Sequence, residues 1–120
     1  MDWYFKDDGG GHIYALYSYP ETEADFIVGC RGDAIDFYIS WVNPKYDGKS
    51  MTVRSGGISQ SAIATYNADE IENMQISLPR DSAVFDKMAQ WGVEIEYPDG
   101  DVYGLPPGDA VAKLVKACRT

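Results

Sequence analysis

The sequence predicts an α+β domain, mostly antiparallel β in a sandwich or barrel-like sheet, with two short helices and the C-terminal one tied by a disulfide. Three observations carry that expectation. Short runs of alternating apolar and polar residues recur between glycine-rich turns, which is the pattern of hairpins. Nine tyrosines and three tryptophans favour pleated, half-buried surfaces. The runs with helical spacing come late, after most of the strands, an order that marks α+β rather than α/β. A chain of 120 residues is one domain, 1–120, large enough for a core that needs no metal or oligomer to stand.

Residues 3–6 and 12–19 are aromatic and β-branched runs joined by two aspartates and three glycines, so they read as a first hairpin. Residues 20–24 break the alternation. Runs 25–30 and 34–42 flank Arg31-Gly32-Asp33 and form a second hairpin with a tight connection. In the later run Ile35, Phe37, Ile39 and Trp41 share one face, with Asp36, Tyr38 and Ser40 on the other. One face is expected on a core and the other wet. Residues 43–48 are turn chemistry, after which Met51 and Val53 point inward and Thr52 and Arg54 outward. Gly56-Gly57 leads into one strand over 58–66, a third hairpin; 67–73 is a polar loop and 74–79 a strand ended by its proline.

Asp81 or Ser82 is placed to cap a helix running to about Gln90, where Val84, Phe85, Met88 and Ala89 recur at helical spacing, with Trp91 alongside and Gly92 as the stop. Residues 93–98 alternate again, with Val93, Ile95 and Tyr97 on one side, and 102–106 are the partner strand across a turn. In the last helix Asp109 is the expected N-cap, and Val111, Leu114, Val115 and Cys118 form the buried face. Lys113, Lys116 and Arg119 complement the negative end of its dipole.

Nineteen acidic against ten basic side chains give a net charge of -9, which repels phosphate backbones and anionic lipid. Nucleic acid is thereby disfavoured as a partner and a cationic one favoured, although the same charge also serves solubility alone. No apolar run approaches the ~20 residues of a membrane-spanning helix, so no membrane insertion is expected. Residues 1–10 have neither the basic nor the apolar region of a signal peptide, so the chain as it stands carries none, whether Met1 is native or replaces a removed leader.

Two cysteines allow one intramolecular pairing. Cys30 lies near a strand end and Cys118 on the buried face of the last helix, where a cross-link holds a segment prone to fray. A bridge of that length constrains the unfolded chain by about 4 kcal/mol and implies an oxidising compartment. The alternative is two separate buried thiols that act as small hydrophobes.

Residues 25–41, an apolar run into cysteine followed by a tight turn and an alternating strand, combine with 91–118, where a strand, a turn and a short aromatic strand lead to a glycine and a helix ending in cysteine. That combination resembles two families of small exported bacterial proteins, the invasion-associated locus B family and the periplasmic family encoded with type VI secretion clusters. Residues 93–118 carry most of the likeness, and Pro106-Pro107 is an added stiffening before Gly108. The resemblance implies an exported β-rich domain with a Cys30 to Cys118 bridge and no established enzymatic chemistry.

No catalytic residue, metal-ligand set or cofactor is expected. His12 is the sole histidine and sits after a glycine run, whereas a triad or zinc site needs further partners. Glu94 and Glu96 alternate with Val93, Ile95 and Tyr97, the pattern of a solvated strand face rather than of an acid and base pair. Asp7-Asp8-Gly9 and Asp99-Gly100-Asp101 are turns without the spacing of a calcium loop. The glycines at 9–11 precede a strand, unlike a phosphate-binding loop, and Arg31-Gly32-Asp33, an integrin-type tripeptide, is also what a tight turn wants.

The aromatic surplus is what suggests binding. Tyr38 points away from Phe37 and Trp41, and Tyr14, Tyr17, Tyr19, Tyr46, Tyr66 and Tyr103 are spread over hairpins and loops. Exposed tyrosines give rigid contact area at low entropic cost, and they equally fill the rim of a small β core. The candidate binding face is Asp36, Tyr38 and Ser40. The expected function is a non-enzymatic exported domain, periplasmic or secreted, that binds a cationic protein or glycan at the bacterial envelope, with inhibition of a basic hydrolase such as lysozyme as one concrete version. The alternative is a cytosolic acidic immunity or antagonist protein against a basic toxin; a third reading is a carboxylate-based hydrolase.

Overall fold

The computed structural model describes residues 2–9, 12–19, 24–68 and 70–119. Strands β1 (Asp2–Asp7), β2 (Ile13–Ser18), β3 (Phe26–Arg31) and β4 (Ala34–Ile39) follow one another as an antiparallel meander. The chain then leaves through a 3-10 turn (Pro44–Tyr46) to β5 (Ser50–Ser55) and β6 (Ile58–Ile63), and returns as β7 (Thr65–Asn67) and β8 (Asn73–Pro79). Helix α1 (Phe85–Trp91), strands β9 (Val93–Glu96) and β10 (Val102–Leu105) and helix α2 (Asp109–Cys118) complete it. The larger sheet runs β1-β2-β3-β4-β8-β7 and the smaller β10-β9-β5-β6, every pairing antiparallel. This is the mostly antiparallel α+β architecture that the sequence predicts.

The core lies between the two sheets and the helices. The large sheet contributes Phe26, Val28, Ile35, Phe37, Ile39, Met74 and Ile76, the small one Met51, Val53, Val93 and Ile95, and the helices Phe85, Met88, Val111 and Leu114, all buried. Burial of each such side chain is worth about 1.5–3 kcal/mol, which is why the alternation of each strand fixes its register so firmly. Helix α2 lies against β1, β2, β3 and α1. Cys30 is the inward position after Val28 on β3, and it is bonded to Cys118 on α2 with the two Cα atoms 5.7 Å apart. Arg119 extends that dock, donating to the carbonyls of Arg80 (3.0 Å) and Ser82 (3.1 Å) and to the Asp86 carboxylate.

Four expectations are corrected. The single strand over 58–66 is two, because Ala64 is buried and its N–H and C=O bond Lys49 O and Gly48 N, both at 2.8 Å, ending the ladder with β5. One run therefore serves both sheets: β6 pairs with β5 and β7 with β8. Asp109 does not cap α2; Gly108 holds that position, and a Cβ there would lie 2.4 Å from Trp3 Cδ1. Trp3 needs the space because its indole donates to Pro106 O at 2.9 Å, so Asp109 instead places its charge in the first turn. Helix α1 starts later than a cap at Asp81 implies: Val84 takes the cap position and Ser82 Oγ accepts from its N–H. Its stop at Gly92, with φ 73°, is as read.

The fourth correction is Trp41, which leaves the core face. Strand β4 ends at Ile39, Ser40 N donates to Asp25 O at 2.9 Å, and the indole of Trp41 is 44% exposed. Once the backbone bends away, alternation no longer tells which side a residue faces. The pattern break over 20–24 and the first hairpin's glycines Gly10 and Gly11 lie largely outside the described residues. Among the described residues no helix is long and apolar enough to cross a membrane.

Candidate functional site

The large sheet buries one face, and among the described residues no helix or strand packs over the other. Register alone writes out that open face as two rows across the strands: Lys6, Tyr14, Gly29, Asp36 and Ser77, and beside it Tyr4, Leu16, Ile27, Tyr38, Gln75 and Thr65. Gly29 leaves a dent in the first row, bounded by Ile13 O and Tyr14 Cβ at 3.3 and 3.4 Å from where its Cβ would stand. Around it opens a depression of about 850 Å³ lined by Lys6, His12, Tyr14, Leu16, Ile27 and Tyr38, among others. A second, of about 290 Å³, shares Ala24, Ile27 and Tyr38 with the first and adds Ser40, Ile71 and Glu72. A third, of about 410 Å³, shares Ser40 with the second and adds Trp41, Val102, Tyr103 and Gly104. The first two adjoin through Ile27 and Tyr38 on the outward side of the large sheet; the third lies past the bend at Ser40, at the sheet edge, where Val102 and Gly104 of β10 share the solvated side of the small sheet with Glu96 and Glu94.

Asp36 was expected to be wet; it is 1% exposed. Arg31 covers it with two bonds, Nε to Oδ2 at 2.7 Å and Nη2 to Oδ1 at 3.4 Å, and Ser77 and Tyr38 donate as well, at 2.5 and 3.3 Å. Burial works against the charge, but the Arg31, Ser77 and Tyr38 hydrogen bonds with the Arg31 charge outweigh it and hold the carboxyl below its ordinary range. A carboxylate so engaged is a poor proton acceptor and offers little to a partner's cation. Its effect is to fix Tyr38, whose own hydroxyl is pushed up by burial and by the Asp36 charge. Of the three residues read as the binding face, the structure therefore buries one, half-buries Tyr38 and leaves Ser40 exposed.

The tyrosines divide by role. Tyr14 and Tyr38 stand on the open face, with Tyr14 OH donating to Asp8 at 3.0 Å, and Tyr19 is exposed. Tyr17, packed on Trp3 at 5.2 Å, and Tyr103, stacked on Phe26 at 6.3 Å, belong to the rim of the core. Tyr66 is half-buried at the β7 edge. Tyr46 meets Tyr97 at 6.1 Å, and its hydroxyl bonds Asp99. Trp41 sits between Tyr97 at 5.1 Å and Tyr103 at 5.8 Å, and Tyr97 OH donates to Trp41 O at 2.6 Å. Burial and the neighbouring Asp25 charge push the Tyr103 hydroxyl up to about 12, and burial raises Tyr97 further still.

Glu94 and Glu96 lie on the solvated face of the small sheet, where Glu96 pairs with Arg54 at 2.9 Å. His12 is exposed just before β2. Among the described residues no three His, Cys, Asp or Glu side chains converge as metal ligands. The sequence reading missed Gly29 as part of the open face and Trp41 with Val102 as exposed residues at the sheet edge beside it. A glycine inside an apolar strand was the available signal for the dent. Comparison of the chain with family models, with curated proteins and with solved structures finds no match.

Proposed function

We propose that this chain is a non-enzymatic, exported binding domain whose partner lies along the open face of the large sheet. The observation that carries the reading is the pair of adjoining depressions on that face, joined through Ile27 and Tyr38, with a third at the sheet edge beyond Ser40, while the opposite face buries the core. Apolar floor, aromatic walls and a few fixed polar groups are the usual make-up of a recognition surface. The partner is a protein or glycan of cationic character at the cell envelope, drawn in by the net charge of -9. A bridge between Cys30 and Cys118 favours an extracytoplasmic site, because such bonds persist in oxidising compartments, and the two exported families resembled by residues 25–41 and 93–118 point the same way. Inhibition of a basic wall hydrolase is the most concrete version.

Calorimetry against a panel of basic wall hydrolases, lysozyme included, and of soluble peptidoglycan fragments tests the reading. With a partner found, Tyr38→Ala weakens binding about tenfold or more, and Tyr38→Phe, which keeps the ring, weakens it less. Full affinity in Tyr38→Ala sinks the proposed face. For localisation, the protein is taken from its own cells and alkylated before any reduction. Unlabelled cysteines fit export, whereas two labels fit the cytosolic antagonist of a basic toxin.

A further inference from the structure

We infer that the depression at Trp41, at the sheet edge beside this face, anchors a basic side chain, an arginine or lysine presented by a partner protein. The inference rests on the binding reading above and names the chemistry that the surface selects. Trp41 is exposed, yet it is held in place: its carbonyl accepts from Tyr97 OH at 2.6 Å, and its ring rests against Tyr97 and Tyr103. A large aromatic face already fixed by its neighbours loses little freedom when something stacks on it. Space is free above it, because Val102 beside it is 41% exposed and nothing lies within 4 Å of where a Gly104 Cβ would be.

Charge decides what fits there. The depression is lined by Ser40, Trp41, Val102, Tyr103 and Gly104, with no basic residue among them. Asp25 stands next to it, its carbonyl accepting from both Ser40 N (2.9 Å) and Tyr103 OH (3.4 Å), and its charge is felt by the Tyr103 hydroxyl. Further along the aromatic run, the Asp99 and Asp101 charges act on the Tyr46 hydroxyl. An electron-rich indole face with the Asp25 charge beside its Tyr103 neighbour attracts a guanidinium or ammonium group. The same aromatic run already holds a cation of this chain, with Lys45 Nζ 5.8 Å from the centre of the Tyr46 ring. In the depression around Gly29, Lys6 and Arg31 line the wall and Arg31 occupies the Asp36 carboxylate, so a second cation is less welcome. The depressions therefore differ in charge, and the cation-accepting one is at Trp41.

Titration of the isotope-labelled protein with deca-arginine, followed by NMR, tests the assignment. The expected result is movement of the Trp41 indole N–H and of the Ser40, Val102 and Gly104 amides. Trp41→Ala raises the Kd about fivefold or more, Trp41→Tyr less, and Trp91→Ala, at another exposed indole, not at all. The affinity also falls as sodium chloride rises from about 0.05 to 0.5 M. Unchanged affinity in Trp41→Ala overturns the inference. So does movement of these signals by chitotetraose and not by the peptide, which would make Trp41 a sugar platform. If deca-arginine moves Tyr14, Ile27 and Tyr38 alone, the anchor falls while the binding face stands.

Discussion

Asp36 carries two opposed effects at a single position, and pH separates them. Its carboxyl is held below the ordinary 3.8, so the unfolded chain binds that proton more readily than the folded one. The stability it contributes is complete above the ordinary value and is lost as pH falls through the folded one. Arg31→Met removes the guanidinium's bonds and charge and leaves only the Ser77 and Tyr38 hydrogen bonds against burial, so the carboxyl moves up. The folded state then takes the proton more readily than the parent does, and the loss of stability toward acid weakens. Urea unfolding should show a clear deficit at neutral pH, smaller than that of a fully buried pair because Arg31 itself is largely exposed. That deficit should shrink toward pH 3, and an equal deficit at both ends would assign the cost to packing. Alternation told which side of β4 Asp36 faces. It could not tell that Arg31, from across a two-residue turn, and Ser77, from a strand 41 positions away, would close over it. Gly92 poses a simpler question of space. A Cβ there would lie 2.3 Å from Leu105 O at a φ of 73°, whereas at Gly100, φ 94°, it would meet nothing within 4 Å. Thermal unfolding should place Gly92→Ala about 3 kcal/mol below the parent and Gly100→Ala only about 1.

Among the elements, α2 depends most on the covalent link. Its apolar face and its partner cysteine were legible, because helical spacing put Val111, Leu114, Val115 and Cys118 together and all four are buried. With the cysteines 88 positions apart, removing the bridge releases about 4.6 kcal/mol of chain entropy in the unfolded state. Cys30→Ala with Cys118→Ala should lower the melting temperature by about 15 °C for a domain of this size, and a shift of only a degree or two would mean that packing alone seats the helix. The division of β6 from β7 was not legible. Residues 58–66 have uniform strand character, and the break at Ala64 is set by hydrogen bonds to Gly48 and Lys49, far from it in sequence. Trp41 was misplaced for a related reason: Ser40 still bonds Asp25 in register with the ladder, and Trp41 just beyond it is seated against Tyr97 and Tyr103, residues far along the chain that no local pattern announces.

For the whole molecule, hairpins between neighbours in sequence were readable and the assembly of sheets was not. Turn residues mark the contact of β3 with β4, but nothing local says that β8 will lie against β4 after the chain has visited a second sheet. The candidate site inherited that division. Tyr38 and Ser40 could be found from one strand, while the depressions they line need β2, β3 and β10 in place. Net charge acts at this scale too. A charge of -9 on a small domain repels itself, so raising salt from about 0.02 to 0.2 M should raise the melting temperature by a few degrees, since the exposed pairs Arg54 with Glu96 and Arg119 with Asp86 have little to lose. A fall on adding salt would mean that those pairs outweigh the repulsion.

The bond between Cys30 and Cys118 also sets how the molecule responds to force. Tension applied between β1 and the far end of α2 passes through the sulfur bridge and bypasses the 88-position segment between the cysteines. About 300 Å of extended chain is thereby withheld from stretching. Under load only the first strands can peel away, while β4 to β10 remain slack inside a closed covalent ring. A pulling machine that grips either side of the ring would stall until the bridge is reduced.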